Sequence, residues 1–523
     1  MSNYPRWKQW LGSLLSLTLI VAVTGCATNP VTGENELALV SEASELKIGQ
    51  SQYQPSRQMQ GGDYQLDPAL ISYVQGVGQR LAAVSDRKLP YEFVVLNDST
   101  PNAWALPGGK IAVNRGLLLE LDNEAELAAV LGHEIVHAAA RHGAQGIERG
   151  LVLQGVLLAA GVATRDSDYS QLAVGAAAVG ANLINQGYSR GAELEADLYG
   201  MTYMARAGYD PMAAVGLQET FVRLSKDRKE NWLSGMFASH PPSMERVEKN
   251  RETARRLAKG GELGRERYQK QIAALKKAAP AYADYSKGVE ALSRKQSDKA
   301  LALAQEAISI EPREALFQGL KGDALVQQRK LPAALSAYNK AIQLDSDFFR
   351  HYLKRGAVKT ELGDRTGAKQ DLNRSLELLP TADAHYLLGQ LALQEGDRQQ
   401  ALAHYQVASD APSVSGKAAA TALVRLDLPE HPQKYISIAL AVDADGRVLM
   451  QLKNSTSVSI SGIHIQLGER RATGQVAVRA EYQVPGRLNP GQHMVLKSNV
   501  RLANSGSLNR WAGRITRAMI DEQ

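Results

Sequence analysis

The segment LGHEIVHAAARH, residues 131–142, contains three of the ten histidines of this chain. His133 and His137 are four residues apart, so on a helix their side chains lie on one face, one turn apart, and both imidazoles can bind the same metal ion. Glu134 follows His133, where its carboxylate can reach a water molecule that the metal activates. The pattern HExxH therefore predicts a zinc hydrolase helix. The alternative is an amphipathic helix that carries two histidines on its surface.

The residues around this segment predict where the helix begins and ends. Asn123 can cap its N-terminus, and Glu126 three residues later matches a capping box. Gly143 can end it, since glycine is common directly after a helix. Upstream, alternation predicts a strand over 91–98, and a Pro-Gly-Gly turn predicts two short strands within 102–118. The expected order is a strand, a hairpin and then the HExxH helix.

A catalytic zinc site needs three protein ligands and an open position. His142 is the nearest candidate for the third ligand, but it lies nine residues after His133, roughly 180° round the helix. Residues 138–141 favour a continuous helix, which would aim His142 away from the metal. We therefore expect His142 to be a structural group, or to contact a residue that binds the metal without binding the metal itself.

A second segment, SRGAELEADLYG (189–200), offers the missing ligand. Glu193 and Asp197 are also four residues apart, on a helix predicted from about 189 to 207. Glu193 can complete a site of two histidines and one glutamate, and Asp197 can accept the outer N–H of a ligand histidine. Glu195 points about 200° away from Glu193 and is predicted to face solvent. The alternative is a surface helix with scattered acidic residues.

The N-terminal sequence predicts export from the cytoplasm. Arg6 and Lys8 precede the apolar run LLSLTLIVAV, and the sequence VTGC ends at Cys26, the single cysteine. This is the pattern of a signal peptide, and VTGC resembles the box of bacterial lipoproteins, in which the cysteine is lipidated. Ala27 at the next position implies, by the same resemblance, the outer membrane. The alternative is an ordinary secretory signal with an incidental cysteine.

The charge and the repeats point away from nucleic acid and toward protein partners. A net charge of +6 over 523 residues is too small to predict nucleic-acid binding. Gly288, Gly322 and Gly356 recur every 34 residues within 282–412, and an alanine follows each by 12 residues. A helix–turn–helix repeat of this length is the tetratricopeptide signature, because one helix pair cannot bury its own apolar face. The concave face of such a stack usually binds peptides.

Two further regions have a distinct composition. Two apolar stretches within 147–187, broken by glycines, predict buried or lid-like helices. From about residue 434 onward, short β-branched and alternating segments are divided by Gly, Asn and Pro. This composition predicts a small antiparallel β-sandwich, and it contains no cluster of catalytic residue types.

Four segments taken together resemble the M48 (Ste24/HtpX-like) metallopeptidases. They are HEIVH, SRGAELEAD, NAWALPGGKIAVNRGLL (102–118) and ASHPPSMERV (238–247). With the repeats appended, the chain resembles the periplasmic M48 proteases that carry tetratricopeptide repeats. The resemblance covers roughly residues 29–250 and implies a gluzincin fold, in which two zinc helices lie beside a small sheet.

The resemblance also implies residue roles. Glu193 would be the third zinc ligand, and the hairpin over 102–114 would be the edge strand on which an extended peptide docks. The edge-strand residues are Asn102, Ala103, Trp104 and Ala105. His240 of the HPxxxxR segment would occupy the fourth zinc position in a resting form or donate to the oxyanion in the working form. Arg246 would support the site or the substrate backbone; the alternative for both is a structural role at a helix start.

These patterns predict a multidomain chain. It comprises a mainly α, gluzincin-type α+β metalloprotease domain, an α-solenoid of tetratricopeptide repeats and a C-terminal antiparallel β-sandwich. The predicted boundaries are 1–25 for a lipoprotein signal peptide, 26–45 for a tether, 46–255 for the metallopeptidase domain, 256–281 for a helical linker, 282–425 for the repeats and 434–520 for the β-sandwich.

The predicted function is that of a zinc-dependent endopeptidase of the bacterial cell envelope, with one Zn²⁺ per chain. It would cleave misfolded or misassembled outer-membrane proteins, and its repeats would bind clients or the outer-membrane assembly machinery. Lipid on Cys26 would anchor it to the outer membrane; a soluble periplasmic protein is the alternative. The alternative function is a chaperone or assembly-interaction protein whose protease site is normally latched.

Overall fold

The computed structural model describes residues 26–159, 187–227, 239–257, 260–471, 476–503 and 505–521. The predicted signal peptide and most of the apolar stretches within 147–187 lie outside the described residues. The chain divides into two compact units, Met1–Val358 with Glu377–Leu379 and Lys359–Leu376 with Pro380–Gln523. Within the described ranges, no helix has the length and apolar composition needed to cross a membrane.

The first unit begins with a short hairpin and two helices. Strands β1 (Cys26–Thr28) and β2 (Asn35–Leu37) pair antiparallel. Helix α1 covers Glu42–Met59, and helix α2 covers Pro68–Ala82. The side chain of Asp67 caps α2 by accepting hydrogen bonds from two backbone N–H groups of its first turn.

A three-stranded sheet follows. β3 (Glu92–Leu96) runs parallel to β5 (Lys110–Asn114), and β4 (Ala103–Leu106) runs antiparallel to β5. β5 is the central strand, so β4 forms one edge of the sheet. The turn between β4 and β5 contains Gly108 and Gly109, whose φ angles of +79° and +83° favour glycine. The strand and the hairpin lie where the sequence predicted them.

Six helices come next along the chain. They are α3 (Arg115–Leu118), α4 (Glu124–Ala139), α5 (His142–Ala159), α6 (Arg190–Arg206), α7 (Met212–Asp227) and α8 (Met244–Arg256), and predicted site residues lie on α4, α6 and α8. Asn123 caps α4 as predicted, since its side chain accepts a hydrogen bond from the backbone N–H of Glu126. The prediction that the helix continues to Gly143 is wrong. α4 ends at Ala139, because Arg141 adopts a left-handed conformation with φ of +63°.

Glycines at the crossing of α4 and α6 let the two helices approach closely. A Cβ atom on Gly200 would lie 3.0 Å from the backbone N of His133, and a Cβ atom on Gly132 would lie 3.1 Å from the carbonyl O of Gly200. Contacts this short are tighter than most Cβ contacts in proteins, so a side chain at either position would push the two backbones apart by a few tenths of an ångström, and glycine permits the close approach. The crossing brings Glu193 on α6 toward His133 on α4.

One apolar cluster joins the sheet to these helices. It contains Val95 of β3, Val113 of β5, Leu131 of α4, Met204 of α6 and Phe221 of α7. Burying each such side chain contributes about 1.5–3 kcal/mol. The site helices are therefore held in place by the main core, and the polar residues of the site do not have to supply that stability.

Helix α9 (Arg265–Gln271) lies in the predicted helical linker, and the helices of the repeat region follow it. These helices are α10 (Ala273–Ser293), α11 (Ser297–Ile310), α12 (Ala315–Gln327), α13 (Leu331–Leu344), α14 (Phe349–Glu361), α15 (Arg365–Leu378), α16 (Ala382–Gln394), α17 (Arg398–Ser409) and α18 (Val414–Asp427). A Cβ atom on Gly322 would lie 2.6 Å from the ring of Tyr338, and one on Gly389 would lie 2.6 Å from the ring of Tyr405. The repeated glycine thus makes room for a tyrosine of the paired helix.

Within the first unit, the first helical pairs contact the sheet through buried polar groups. Asn97, directly after β3, donates from Nδ2 to Glu314, 3.1 Å from each carboxylate oxygen. The Tyr282 hydroxyl also donates to Glu314, at 2.6 Å. Arg115 donates from Nε to Asn97 Oδ1 at 2.7 Å, and its guanidinium lies 3.3 Å from the centroid of the Tyr282 ring. We call these four buried residues the Glu314 cluster.

The C-terminal part consists of two antiparallel sheets, so the predicted strands are present. The strands are β6 (Ile436–Val442), β7 (Arg447–Asn454), β8 (Ile460–Arg470), β9 (Val476–Gln483), β10 (Arg487–Leu488), β11 (His493–Arg501) and β12 (Trp511–Ile520). One sheet has the order β11, β7, β6; in the other, β10 and β12 flank β8, which also pairs with β9. Leu452, Ile465 and Ile515 belong to one apolar cluster.

Candidate metal centre

Four buried residues bring ligand-type atoms together. His133 and His137 from α4, Glu193 from α6 and His240 from the segment before α8 each offer one atom, and these atoms lie within 4.8 Å of one another. The Nε2 atoms of His133 and His137 are 3.0 Å apart. Glu193 places Oε2 3.5 Å from Nε2 of His133 and Oε1 3.4 Å from Nε2 of His137. Four ligand atoms this close together could bind a single cation.

The protonation states of two of these groups also suit a metal. Protein ligands bind zinc as neutral imidazoles and ionised carboxylates. Burial holds the pKa of His137 well below its usual value, so this ring is neutral. Burial raises the pKa of Glu193, but the charges of His240 and His133 outweigh burial and hold that pKa well below its ordinary range. These two groups therefore have the protonation states of metal ligands.

His133 is oriented by a carboxylate on its outer side. Its Nδ1 lies 2.9 Å from Asp197 Oδ1, and because a carboxylate can only accept, Nδ1 donates the hydrogen bond. Burial lowers the pKa of His133, but the hydrogen bonds to Asp197 and Glu193 outweigh burial and raise that pKa to about 10. The surroundings of this ring thus favour a positive charge at Nε2.

Arg246 connects Glu193 and Asp197, two of the three carboxylates of α6. It donates to Asp197 from Nε and Nη2, both at 2.7 Å, and its Nη1 lies 2.9 Å from Glu193 Oε2. Burial raises the pKa of Asp197, but Arg246 outweighs burial and lowers it. A bidentate guanidinium fixes a carboxylate in one plane. Arg246 therefore positions Asp197, which in turn positions the ring of His133.

His142 lies beside the four-residue group without belonging to it. Arg141 reverses the chain after α4, so that Nδ1 of His142 lies 2.8 Å from Nδ1 of His137. On its other side, Nε2 of His142 lies 3.3 Å from Oε1 of Glu195. The prediction that Glu195 faces solvent is wrong, because packing beside His142 leaves its side chain only 23% exposed.

The left-handed conformation of Arg141 is stabilised by the N-terminal part of the chain. Its Nε donates to Glu45 Oε2 at 3.1 Å, and its Nη2 donates to the carbonyl of Val40 at 2.6 Å. A left-handed residue other than glycine costs about 1–2 kcal/mol. These buried, charge-assisted contacts offset that cost and keep His142 against His137.

Glu134 is a buried carboxylate whose oxygens accept no hydrogen bond from the described residues. Nε2 of His240 is 3.5 Å from Oε1 of Glu134. Burial raises the pKa of Glu134, against the opposing charges of His240 and His133. Such a group can accept a proton readily.

Tyr188 is a neighbour of the site that the sequence did not reveal. Its ring stacks on His137 with 3.8 Å between ring centroids and 16° between planes, and it lies 5.6 Å from His240. No spacing rule connects an aromatic residue at this position with HExxH. The only feature of the sequence that could have drawn attention to Tyr188 is its position directly before Ser189, which caps α6.

The predicted edge-strand residues lie on and beside β4. Ala103 and Trp104 are buried, and Trp104 Nε1 donates to Gln60 Oε1 at 3.0 Å. The carbonyl of Asn102 accepts a hydrogen bond from the backbone N–H of Asn114, which extends the pairing with β5. β4 packs against α4, which carries the two histidines. Docking of a peptide there stays a prediction, as does lipidation of Cys26.

Three parts of the sequence match known families. Residues 68–254 match "Peptidase family M48", and residues 322–363 and 353–414 match tetratricopeptide repeats. A solved tetratricopeptide protein of Thermus thermophilus is 25% identical with a TM-score of 0.26, over 30% of this chain and 87% of that one.

Several curated proteins are similar. A putative beta-barrel assembly-enhancing protease of Vibrio cholerae is 34% identical over 36% of this chain, a match that spans only 40% of the relative's length. The beta-barrel assembly-enhancing protease of Escherichia coli K12 is 26% identical over 63% of this chain and 75% of the relative. Mitochondrial metalloendopeptidase OMA1 of Schizosaccharomyces pombe is 33% identical over 47% of this chain and 72% of the relative. With the site geometry, these matches establish that the chain belongs to peptidase family M48.

Proposed function

We propose that this chain is a zinc-dependent endopeptidase of the bacterial cell envelope. The observation that carries the proposal is the convergence of His133, His137 and Glu193 beside the buried carboxylate of Glu134, whose oxygens accept no hydrogen bond from the described residues. A base next to a cation site is the arrangement that hydrolysis by activated water requires. The names of the relatives, which are proteases, support the same reaction class.

His133, His137 and Glu193 would hold one zinc ion per chain. When bound, zinc supplies Lewis-acid chemistry, which polarises the scissile carbonyl and acidifies water. Glu134 would take the proton of the attacking water and pass it to the leaving amine. Its oxygens have no hydrogen-bond partner among the described residues, so they are available for both transfers.

Two residues from the HPxxxxR segment would act around this centre. Nδ1 of His240 lies 2.9 Å from Oε1 of Glu193, so in a resting form His240 would occupy the fourth position. In the working form it would donate to the oxyanion. Arg246 would support the site through its paired hydrogen bonds to Asp197.

Strand β4 would bind the substrate backbone through Asn102, Ala103, Trp104 and Ala105. An extended peptide can add to a sheet edge by main-chain hydrogen bonds, which places little demand on its sequence. The position of β4 at an edge, next to α4, supports this role. The substrates would be misfolded or misassembled outer-membrane proteins, and the repeats would bind such clients or the assembly machinery.

The remaining predictions concern architecture and location. The first unit would contain a gluzincin-type metallopeptidase domain over 46–255, and the two C-terminal sheets would form a β-sandwich over 434–520. The repeats would cover 282–425. Lipid on Cys26 would anchor the chain to the outer membrane on its periplasmic side.

Substitution Glu134→Gln tests the reaction. Glu126→Gln is the matched control: it makes the same change on the same helix, and glutamine keeps the capping box. Both variants should bind one zinc ion per chain by metal analysis, and only Glu134→Gln should lose peptide cleavage. Cleavage at the wild-type rate by Glu134→Gln would contradict the assignment of the base.

A second function is favoured by one contact, that of His240 with Glu193. If this contact keeps the site closed, the chain would work mainly as a chaperone or assembly protein through its repeats. A strain that lacks the protein separates the two functions. Complementation by Glu134→Gln would favour the chaperone, and failure of that variant would favour the protease.

A further inference from the structure

The positive charge of the chain is concentrated in its C-terminal part. Residues 434–523 contain 12 lysines and arginines and 6 aspartates and glutamates, a difference equal to the net charge of +6. Residues 1–433 contain 48 of each kind and are neutral overall. The proposed hydrolysis makes no use of this excess, so the C-terminal sheets present a separate surface to a partner of opposite charge.

Four of these cations lie on one face of the sheet with the order β11, β7, β6. Val448, Met450 and Leu452 of β7 point into the apolar core, so the alternate residues of β7 and their Cα partners on β11 point outward. None of the three strands contains an aspartate or a glutamate. The outward-pointing cations are Arg447, Lys453, Lys497 and Arg501, and we call this surface the cationic face.

Two of the cations face each other across neighbouring strands. Arg447 and Arg501 are Cα partners in the antiparallel register of β7 and β11. Like charges at directly opposed positions destabilise a sheet. The adjacent turn does not relieve this repulsion, because Asp443 accepts hydrogen bonds from the backbone N–H groups of Asp445 and Arg447. A ligand with negative charge would relieve it.

The cationic face has no neutralising partner within the chain. Lys453, Lys497 and Arg501 are exposed and Arg447 is half-buried. Among the described residues, none of the four forms an ion pair or a side-chain hydrogen bond. Their charged groups are therefore available to anions in the surroundings.

Apolar side chains lie between the cations. Val495 is opposite Gln451 on the same face and is 57% exposed, and Leu449 is opposite Lys497 and half-buried. The sheet presents these groups over a broad surface and not inside a cavity. The phosphates of a lipid bilayer form a layer above the acyl chains, so a membrane surface can contact the cations and also receive the apolar side chains.

We propose that the cationic face binds the surface of a membrane that contains anionic phospholipids, through the phosphates of their headgroups. Lysine and arginine have long apolar stems, so their charged ends can reach the phosphates while the stems lie along the sheet. The exposed Val495 favours a membrane over a soluble acidic protein, whose charged surface would offer this side chain no apolar contact. The inference rests on the proposed function for its location, the cell envelope, and not on hydrolysis.

Sedimentation with lipid vesicles tests the proposal. The vesicles consist of phosphatidylcholine alone or of an equimolar mixture with phosphatidylglycerol. The protein is the predicted mature chain, residues 26–523, with Cys26→Ser, so that a lipid on Cys26 does not contribute. It should bind the mixed vesicles much more tightly than the neutral ones, and added salt should weaken this binding by screening. Equal binding to the two kinds of vesicle, or binding to neither, would overturn the proposal.

A double variant, Arg447→Gln with Arg501→Gln, should weaken binding to the mixed vesicles about 25-fold, since each cation near an anionic surface contributes about fivefold. The matched control is Arg514→Gln with Arg517→Gln. It removes the same charge from two exposed arginines of β12, which belongs to the other C-terminal sheet. An equal loss in the two double variants would mean that only net charge matters, and would overturn the assignment of the face.

Two further measurements separate this role from a structural one and from a protein partner. The midpoint of urea unfolding should not fall in the variant at Arg447 and Arg501, because its repulsion across the strands is removed; a lower midpoint would contradict that repulsion. Binding to soluble polyglutamate as tight as to the mixed vesicles would assign the face to an acidic protein instead. None of these measurements involves cleavage, so failure of the proposed hydrolysis would leave them readable.

Discussion

The crossing of α4 and α6 makes a specific prediction for Gly200→Ala. The new Cβ atom would lie 3.0 Å from the backbone N of His133 and 3.1 Å from the carbonyl carbon of Gly132. These contacts are with backbone atoms, which cannot rotate away as a side chain can. The two helices must therefore move apart, and Glu193 must move away from His133.

The magnitude follows from comparison with a second glycine. Overpacking of a tight contact costs about 1–3 kcal/mol. Replacing a helical glycine by alanine gains about 1 kcal/mol in helix propensity. A Cβ atom on Gly216 of α7 would have no heavy atom within 4 Å, so Gly216→Ala has the propensity gain alone. The difference between the two variants should therefore equal the steric cost.

Hydrogen exchange of the α4 backbone and zinc affinity measured by chelator competition test this reasoning. Gly200→Ala should lower the free energy of opening of α4 by about 1–3 kcal/mol relative to Gly216→Ala. It should also weaken zinc binding, whereas Gly216→Ala should not. Equal exchange and equal zinc affinity in the two variants would show that the crossing tolerates a methyl group, and would refute the argument.

Three other predictions concern separate parts of the chain. His142→Ala should weaken zinc binding about tenfold to a hundredfold, because it removes the group that orients His137; unchanged affinity in a chelator competition would contradict this. Burial raises the pKa of Asp427, but hydrogen bonds, first from Lys434, outweigh burial and lower it to about 2. The stabilisation that the ionised Asp427 carboxylate contributes is therefore complete above about pH 4 and is lost as the pH falls from about 4 to 2. In the Asp427→Asn variant, the midpoint of urea unfolding should fall less steeply with decreasing pH over that range. Lys295→Gly should raise the free energy of unfolding in urea by about 0.5–1 kcal/mol, since Lys295 has φ of +60° directly after a helix; a decrease would contradict it.

The parts of the structure that were predictable are those that depend on local spacing. A four-residue separation places His133 and His137 on one helix face in any helix, and their Nε2 atoms are 3.0 Å apart. The 34-residue period of glycines likewise predicts helical pairs, because neighbouring helices pack closely at these positions, against Leu320 at Gly288 and against Tyr338 at Gly322. The strand and hairpin before α4 were readable from alternation and from the glycine turn.

The parts that were not predictable depend on tertiary contacts. Residues 138–141 have high helix propensity, yet the helix stops because Arg141 is held in a left-handed conformation by Glu45. That contact comes from a segment almost a hundred residues earlier, and helix propensity carries no information about it. The partial burial of Glu195 also depends on this turn, because the turn places His142 beside it. The stacking of Tyr188 on His137 also depends on the folded arrangement alone.

The Glu314 cluster limits how far the chain can be treated as modular. Arg115 and Asn97 come from the sheet side and Tyr282 and Glu314 from the repeats, and all four are buried. If the repeats were removed, Arg115 would keep its hydrogen bonds to Asn97 and Ser99 but would lose the ring of Tyr282, and Asn97 would lose the carboxylate of Glu314. Removing one side of a buried hydrogen-bonded network leaves the polar groups of the other side without partners, which costs free energy. Exchange of these repeats for those of another protein would therefore have to retain Tyr282 and Glu314, because the buried polar groups beside the sheet have their partners there.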